Sequence, residues 1–278
     1  MLQTCCVLHF IWIKQGRMSV EHAATAREIA GLFKTASHDE IDNLISRYAE
    51  DPRAQVQQAL KSARRRQEHF LRERSRVHGM YLLQKELGGS GITIGVDEVG
   101  RGAIAGPLTV AAVVLPDEPE ILGVNDSKQL SPQQRSELAL RIQTIAVSIG
   151  ISHIPAELID KQGMAASLRQ AMSEAIVDTG VEPDSVLIDG NPVHAHPKER
   201  TIVKGDAKIA AIAAASIVAK VTRDQLMVEY DKSYPEYHFA SCKGYGSAEH
   251  IAAIKQFGLT PLHRVSFCSN FVEMPSLF

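Results

Sequence analysis

Carboxylate side chains that follow apolar runs are the residues of this sequence best suited to chemistry. Asp97 and Glu98 directly follow the run Ile92–Val96, and Asp189 ends a second apolar run. Asp224 lies near the end of an alanine-rich stretch with helical character. Carboxylates that converge without a counter-ion repel one another, whereas Mg²⁺ binds their oxygens and bridges to phosphate. If the four side chains meet, we expect a divalent-metal site that could hydrolyse a phosphodiester.

Each of these carboxylates also has a purely structural interpretation. The first pair could form a polar hairpin turn, and Asp189-Gly190 could be an ordinary Asp-Gly turn. Asp224 stands four residues after Lys220, so the two side chains could form an ion pair on a helix surface. The catalytic interpretation requires two strands to end at one edge of a sheet, where ligands of α/β proteins bind. Few His or Cys residues lie nearby in sequence, which argues against zinc.

A glycine-rich turn and an aromatic loop could recognise a ligand. Gly100 and Gly102 flank Arg101 directly after the two carboxylates, and a strand that ends in charge and then turns sharply is a common way to build a site. Tyr245 lies between two glycines, where its ring could lie against a sugar or base or simply occupy a turn. A nucleotide-binding switch is disfavoured because no Gly-Lys-Ser/Thr follows the glycines. A non-catalytic nucleic-acid-binding module is disfavoured because it would gain from basic residues where four carboxylates stand.

Alternating strand-like and helix-like patterns predict an α/β domain that positions these residues. The predicted strands are Ile92–Val96, Leu108–Leu115, Ile145–Ile151 and Val186–Ile188. The predicted helices are Pro132–Arg141, Met164–Thr179, Asp206–Tyr230 and Ser247–Phe257. The first two strands are too close in sequence for a crossover helix, so we expect them to pair antiparallel within a mixed sheet. The many alanines of the third helix would let it lie close to the sheet, with Gly205-Asp206 as its N-cap.

Charge, cysteine content and hydropathy indicate the class of protein. Residues 1–90 carry 14 Lys or Arg and 10 Asp or Glu, whereas residues 91–278 carry 16 and 22. The four cysteines have no Cys-x-x-Cys spacing, which favours a reducing, cytosolic compartment. The apolar run Cys5–Ile13 is too short to span a bilayer. We interpret residues 1–17 as an upstream extension or a misassigned start, with Met18 as the alternative start.

A basic helical segment precedes the α/β body. Residues 18–87 have a helical pattern that includes a capping box beginning at Ser37. The stretch Lys61–Arg76 contains seven basic and two acidic residues, which is either a solvated helix face or a phosphate-contacting surface. Residues 88–91, Gly-Gly-Ser-Gly, are the predicted linker to a catalytic body at 92–278.

Several separated motifs, in a fixed order, resemble the bacterial ribonuclease HII family. They are Gly95-Val-Asp-Glu-Val-Gly-Arg-Gly102, Ala105-Gly106-Pro107, Asn125-Asp-Ser-Lys-Gln-Leu130, Ile188-Asp189-Gly190, Lys204-Gly205-Asp206, Ala214-Ala-Ser-Ile-Val-Ala-Lys-Val-Thr-Arg-Asp224, Gly244-Tyr245-Gly246 and His263-Arg264-Val-Ser-Phe267. The resemblance implies a ribonuclease H-like fold and a metal-dependent endonuclease. The implied enzyme cuts the RNA strand of RNA–DNA hybrids and nicks duplex DNA 5′ to embedded ribonucleotides. The basic front segment is similar to a substrate-binding extension of some Gram-positive members.

The same resemblance implies roles for individual residues. The catalytic and metal-binding positions of the family fall on Asp97, Glu98, Asp189 and Asp224. Backbone groups of residues 100–102 take the element that senses the 2′-hydroxyl, and Tyr245 takes the residue that stacks at the ribose–deoxyribose junction. Ser127 and Lys128 are the candidate phosphate contacts.

The implied cofactor is Mg²⁺ or Mn²⁺, with two ions when substrate is bound, and the products carry 5′-phosphate and 3′-hydroxyl ends. The implied partners are RNA–DNA hybrid and ribonucleotide-containing duplex DNA, with no membrane, and we expect a cytoplasmic monomer. Some positions depart from the family pattern: Ala103 stands where proline is frequent, and Ser247 replaces a common threonine. Because no carboxylate is replaced, we expect these departures to affect only substrate preference.

Overall fold

The structure is a computed structural model that describes residues 24–270. Residues 1–23 and 271–278 fall outside this range. The upstream extension predicted at 1–17 and the alternative start at Met18 therefore lie outside the described residues. Across the described range, none of the helices combines the length and the apolar character that crossing a bilayer requires.

The described residues form ten α-helices and five β-strands. The helices are α1 (Ala26–Thr35), α2 (His38–Arg47), α3 (Ala54–Gly88), α4 (Pro132–Ile145), α5 (Ala156–Gln162), α6 (Met164–Asp178), α7 (Ala210–Ser233), α8 (Phe239–Cys242), α9 (Ala248–Phe257) and α10 (Val265–Cys268). The strands are β1 (Thr93–Val99), β2 (Leu108–Val114), β3 (Ser148–Ile154), β4 (Ser185–Asp189) and β5 (Glu199–Ile202). Short 3₁₀ turns lie at Ser127–Gln129, Gly205–Ala207 and Pro235–Tyr237.

The chain divides into two compact units between Phe70 and Leu71, a point inside α3. The boundary read from the sequence, at residues 88–91, stays a prediction. In the first unit, α1, α2 and the beginning of α3 enclose a small apolar core around Phe33. The predicted capping box at Ser37 is confirmed, because its hydroxyl accepts from the backbone of Glu40 and the Glu40 carboxylate accepts in return. Satisfying these free donors starts α2 where the sequence predicts.

The second unit is built on a mixed sheet with the strand order β3-β2-β1-β4-β5. β1 pairs antiparallel with β2, as their short connection predicts, and parallel with β4. In the second pairing Val96 lies opposite Ile188. The residues that follow them, Asp97 and Asp189, therefore leave two neighbouring strands at the same edge of the sheet. This confirms the expected α/β class with a mixed sheet.

Helices cover both faces of the sheet because strand residues alternate between two apolar clusters. Ala111 and Val113 of β2 belong to the cluster formed with α4 and α7. Val110 and Ala112 belong to the cluster formed with α5 and α6. The last turns of α3 join the first cluster, since Tyr81 packs there and its hydroxyl accepts from the backbone of Ile121. The core thus fixes α7 directly against β1 and β2.

The close approach of α7 to the sheet confirms the prediction made from its alanines. A β-carbon on Gly95 of β1 would lie 2.2 Å from the backbone carbon of Ala211. Glycine in the strand and alanine in the helix are therefore both required for this separation. The consequence is that α7 carries its later residues to the edge where β1 ends.

One predicted strand is displaced from the observed one, and some short elements were not predicted. The predicted strand Ile145–Ile151 is displaced, since α4 continues to Ile145 and β3 spans Ser148–Ile154. Its apolar residues fit a helix end and a strand equally well, and β3 is an edge strand in which the buried Ser152 interrupts the apolar alternation. Helix α5 and strand β5 were not predicted, because both are short and β5 is a partly exposed edge strand.

The prediction of Gly205-Asp206 as a helix N-cap is wrong. Asp206 lies in a 3₁₀ turn, and α7 begins only at Ala210, with Ile209 as an N-cap that makes no side-chain cap. A distant residue takes over this function: Gln84 of α3 accepts a hydrogen bond of 2.8 Å from the backbone N–H of Ala211. A long-range cap of this kind leaves no local signal in the sequence.

Candidate active site

Two carboxylates meet where β1 and β4 end. Asp97 is 6 % exposed, and its Oδ1 accepts a hydrogen bond of 2.7 Å from the backbone N–H of Glu98. Burial raises the pKa of Asp97 well above its usual value, and the charges of Glu98 and Asp189 raise it further. The side chain of Ser216 hydrogen-bonds to Asp97 and opposes that rise in pKa. The structure thus brings Asp97 and Asp189 together, as the sequence predicts.

Glu98 joins the same repulsive group. Burial raises the pKa of Glu98, the guanidinium of Arg101 lowers it, and Asp189 raises it again. The ion pair with Arg101 is long, with 3.7 Å between Nη1 and Oε1. Burial and the charge of Asp189 outweigh the positive charges of Arg101 and Lys128, so the pKa of Glu98 stays raised, and the carboxylates of this edge favour an added cation.

Asp224 has a different partner. Its Oδ1 accepts from Nζ of Lys220 at 2.9 Å, and both side chains are about one fifth exposed. This is the ion pair that the four-residue spacing predicts as the structural alternative. Within residues 24–270, no three His, Cys, Asp or Glu side chains lie in an arrangement that would hold a metal ion. The ammonium of Lys220 neutralises Asp224, so nothing in this state draws that carboxylate toward Asp97.

Lys128 provides a positive charge at the acidic edge. Burial lowers the pKa of Lys128, but the carboxylates of Asp126, Asp206, Asp97 and Asp189 raise it overall. Ser127, its neighbour, is buried, and its hydroxyl shares a hydrogen bond of 2.9 Å with the hydroxyl of Ser216. Of the two candidate phosphate contacts, Lys128 is therefore exposed, whereas Ser127 is buried against Ser216.

Two further acidic residues of this edge were missed as site residues. Burial raises the pKa of Asp206, and the charges of Asp189 and Asp126 raise it further. Asp206 follows β5 in the chain, and Asp126 stands at the start of the 3₁₀ turn at Ser127–Gln129. Both lie in motifs quoted above for the family resemblance. A count of carboxylates within those motifs was the signal that could have found them.

The turn after β1 is shaped by its glycines. Gly100 has a φ of +85°, and a β-carbon there would lie 2.2 Å from Nε of Arg223. At Gly102 a β-carbon would meet open space, so its lack of a side chain leaves the backbone accessible. The side chain of Arg101 is 61 % exposed, while its carbonyl accepts from Nη1 of Arg264 over 3.1 Å. Arg101 and Gly102 therefore offer backbone groups to solvent, and the buried Arg264 holds the turn from the protein interior.

The loop that carries Tyr245 is hydrogen-bonded to that turn. The backbone N–H groups of Ile104 and Ala105 both donate to the carbonyl of Gly244, over 2.9 and 3.0 Å. A β-carbon on Gly244 would lie 2.3 Å from the carbonyl oxygen of Ala105. The side chain of Tyr245 is 39 % exposed. The structure thus joins the turn at residues 100–106 to the loop that carries Tyr245.

Two fully buried arginines hold the turn and the loop together, and sequence reasoning missed both. Arg223 donates to the carbonyls of Pro107, Lys243 and Ala105, and its guanidinium carbon lies 5.6 Å from the Tyr245 ring centroid. Arg264 donates twice to the carbonyl of Gly106. Burial and the Arg223 charge lower the pKa of Arg264 to about 10, so it remains charged at neutral pH.

A mixed sheet covered by helices, with acidic residues at one edge, is an α/β domain of ribonuclease H-like fold. The model of the ribonuclease HII family matches residues 94–270, and that of the ribonuclease HII N-terminal domain matches residues 25–88. The chain therefore belongs to the ribonuclease HII family and is a metal-dependent endoribonuclease.

Individual relatives agree with this assignment. The ribonuclease HII of Lactobacillus helveticus is 41 % identical over 244 residues, which cover 87 % of this chain and 96 % of the relative. That of Ruminiclostridium cellulolyticum is 46 % identical over 205 residues, which cover 73 % of this chain and 80 % of the relative. The crystal structure of ribonuclease H2 from Pyrococcus horikoshii superposes with a TM-score of 0.56 at 27 % identity, over 65 % of this chain and 96 % of that one.

Proposed function

We propose that this endoribonuclease, which acts on RNA–DNA hybrids, also nicks duplex DNA on the 5′ side of single embedded ribonucleotides. The proposed products carry 5′-phosphate and 3′-hydroxyl ends. One observation carries the proposal. The carboxylates of Asp97 and Asp189 lie where the neighbouring strands β1 and β4 end; β1 runs directly into residues 100–102, and that turn is hydrogen-bonded to the loop of Tyr245. Groups suited to cutting and groups suited to reading a sugar are therefore neighbours.

The donor set fits divalent cations such as Mg²⁺ or Mn²⁺. Asp97, Glu98 and Asp189 offer carboxylate oxygens, the ligands that hard divalent ions prefer. Burial raises the pKa values of Asp97 and Glu98, and repulsion by neighbouring carboxylates raises them further; a bound cation would relieve that repulsion. We propose that Asp224 joins them once its ion pair with Lys220 opens. When bound, two such ions supply activation of a water molecule and neutralise charge on the leaving oxygen.

The turn and the loop would select the phosphodiester. The 2′-hydroxyl distinguishes RNA from DNA at a given position, and the exposed backbone at Arg101 and Gly102 can hydrogen-bond to it. The exposed ring of Tyr245 would pack against the sugar on the 3′ side, where it leaves no room for a second 2′-hydroxyl. Lys128 would contact a phosphate, whereas the buried hydroxyl of Ser127 would act through Ser216 to orient Asp97.

A duplex with one ribonucleotide in one DNA strand tests the proposal. With Mg²⁺ or Mn²⁺, we expect a single nick 5′ to the ribonucleotide and none in an all-DNA duplex. Asp97→Asn should lower the rate at least about 100-fold while the duplex still binds. Asp117→Asn is the matched control, because Asp117 is an exposed carboxylate paired only loosely with Lys85. A folded wild-type sample that makes no nick with either metal would refute the proposal.

The basic helical segment, residues 18–87, is proposed to bind the substrate backbone. Arg64 and Arg65 of α3 are exposed and could release counter-ions from phosphates. In the double variant Arg64→Ala/Arg65→Ala, we expect weaker binding and a shallower slope of log K against log salt, by about 1 to 2. Arg53→Ala is the control, since Arg53 is paired with Asp51 at 2.5 Å. An unchanged slope in the double variant would show that these arginines are only a solvated face.

We infer that the enzyme works as a monomer in the cytosol. Cys242 and Cys268 are free thiols among the described residues, which suits a reducing compartment. Light scattering should give a mass near the 30.4 kDa of one chain, and cell fractionation should recover the protein with soluble markers. A dimer mass or recovery with membranes would contradict this inference.

A further inference from the structure

Two buried histidines lie next to the loop that carries Tyr245. His250, in α9, is fully buried, and His263, just before α10, is 2 % exposed. Their Nε2 atoms lie 3.0 Å apart, which is a direct hydrogen bond between imidazole rings. Neither ring is part of the cutting chemistry proposed above.

The surrounding backbone fixes which nitrogen of each ring carries the proton. The N–H of Thr260 donates to Nδ1 of His263 over 2.9 Å, so that nitrogen must be an acceptor. The proton of neutral His263 is then on Nε2 and is donated to Nε2 of His250. The remaining proton of His250 is on Nδ1, which lies 2.8 Å from the carbonyl oxygen of Tyr245. The four groups form one directed chain from Thr260 to Tyr245.

Burial keeps this chain in its neutral form. Burial, with the neighbouring His250, lowers the pKa of His263 to about 4, and burial also lowers the pKa of His250. A second proton on His263 would sit on Nδ1 and face the N–H of Thr260. That hydrogen bond would be lost, and with it the directed order of donors and acceptors along the chain. Near neutral pH, a single arrangement of hydrogen bonds therefore holds the Tyr245 carbonyl.

This chain of hydrogen bonds is also anchored to residues 104–105, which are hydrogen-bonded to the Tyr245 loop. The backbone of His263 forms an antiparallel bridge with Ala105, and the next N–H, that of Arg264, donates to the carbonyl of Ile104 over 2.9 Å. The preceding carbonyl in the loop, that of Gly244, already accepts from Ile104 and Ala105. The Tyr245 loop is thus connected to residues 104–105 in two ways. One connection is direct, through the carbonyl of Gly244. The other runs from the carbonyl of Tyr245 through the two imidazole rings to the backbone of His263.

We propose that His250 and His263 are specificity-determining positioning residues, which set the distance between the Tyr245 ring and the turn at residues 100–102. This inference rests on the proposed function, in which the turn reads a ribose and the ring requires a deoxyribose beside it. A ring that excludes a single hydroxyl must be held to a fraction of an ångström. Loosening it should weaken cleavage at a ribose–deoxyribose junction more than cleavage within continuous RNA.

The test compares kcat/KM for two substrates in the full-length protein with Mg²⁺. One substrate is a DNA duplex with a single ribonucleotide, and the other is a continuous RNA–DNA hybrid. For His263→Phe, which keeps a ring but removes the hydrogen bonds to Thr260 and His250, we expect the ratio of the two values to fall about tenfold or more. For His263→Gln, whose amide can donate to His250, we expect recovery to within about threefold of wild type. Met172→Ala is the control for lost stability alone, because Met172 is fully buried in the cluster on the α6 face.

The possible outcomes distinguish failure of the positioning role of the histidines from failure of the proposed function. A lowered ratio in His263→Phe, rescue in His263→Gln and no change in Met172→Ala would support the inference. If Tyr245→Ala changes the ratio but neither His263 variant does, the positioning role is overturned while the proposed function stands. If Tyr245→Ala itself leaves the ratio unchanged, both the junction-reading role of that ring and the inference fail. If His263→Phe does not fold, as judged by thermal unfolding, the same ratio measured in His250→Asn decides. An unchanged ratio in His250→Asn would then overturn the inference.

Discussion

The close contact between β1 and α7 gives the most direct test of how the fold positions the site. Gly95 stands two residues before Asp97. A β-carbon on it would lie 2.2 Å from the backbone carbon of Ala211 and 2.4 Å from the backbone nitrogen of Ile212. Both of these atoms belong to the first turn of α7, so no side-chain rotation can relieve the overlap. The substitution Gly95→Ala must therefore move the helix away from the strand.

The size of the effect follows from the missing space. Ordinary contacts begin at 3.4 Å, so an approach of 2.2 Å calls for a displacement of roughly 1.2 Å or an equivalent strain. Overpacking of this kind costs about 1–3 kcal/mol of unfolding free energy. The same movement separates Asp224 and Ser216 on α7 from Asp97 on β1, and a misplacement near 1 Å can cost about 100-fold in rate. We expect kcat to fall by about that factor, with KM changed far less.

Denaturant unfolding and steady-state cleavage of the single-ribonucleotide duplex measure the two effects. Met172→Ala is again the matched control, since it should destabilise the opposite face of the sheet by about 2–5 kcal/mol without moving α7. At a temperature where all variants are folded, Met172→Ala should retain its activity and Gly95→Ala should not. Wild-type activity in Gly95→Ala, or an activity loss no larger than that of the control, would refute the argument that this contact sets the site.

Three further predictions concern the buried polar groups. Gln84→Leu removes the acceptor of the Ala211 N–H and should lower the free energy of unfolding by about 1–3 kcal/mol, while the exposed Gln133→Leu should change it little. Arg223→Lys keeps the charge but cannot reach three carbonyls, so we expect a loss of about 3 kcal/mol or more; stability equal to wild type would contradict the role of Arg223 as a clamp. His263 has a pKa of about 4 in the folded protein and about 6.5 when unfolded, so the unfolded chain takes up the proton first as the pH falls. Stability should therefore decline between about pH 6.5 and pH 4, and this decline should be smaller in His263→Gln.

Local and nearest-neighbour features of the molecule could be predicted from the sequence. The short connection after Val99 requires antiparallel pairing of β1 with β2, and two apolar runs that end in Asp97 and Asp189 favour neighbouring strands. The capping box at Ser37 depends on four consecutive residues. The alanines of α7 predict a helix close to the sheet. In each case the information lies within one element or in the pairing of two strands.

Features set by distant contacts could not be predicted in the same way. Arg223 and Arg264 look like surface residues in the sequence, yet both are fully buried because carbonyls of the 101–107 turn and the Tyr245 loop surround them. The cap that Gln84 provides for α7 bridges 127 positions. Asp206 has the pattern of an N-cap, but tertiary structure places it among the acidic residues near Asp189. Composition and spacing carry no signal for such pairings.

We expect the carboxylates where β1 and β4 end to hold the divalent metal of this enzyme. Anomalous diffraction from crystals soaked in Mn²⁺ locates that metal. A peak should lie in contact with the carboxylates of Asp97 and Asp189, with Lys220 released from Asp224, and crystals of Asp97→Asn should show no peak there. Mn²⁺ bound elsewhere in the protein, with this edge of the sheet empty, would contradict this expectation.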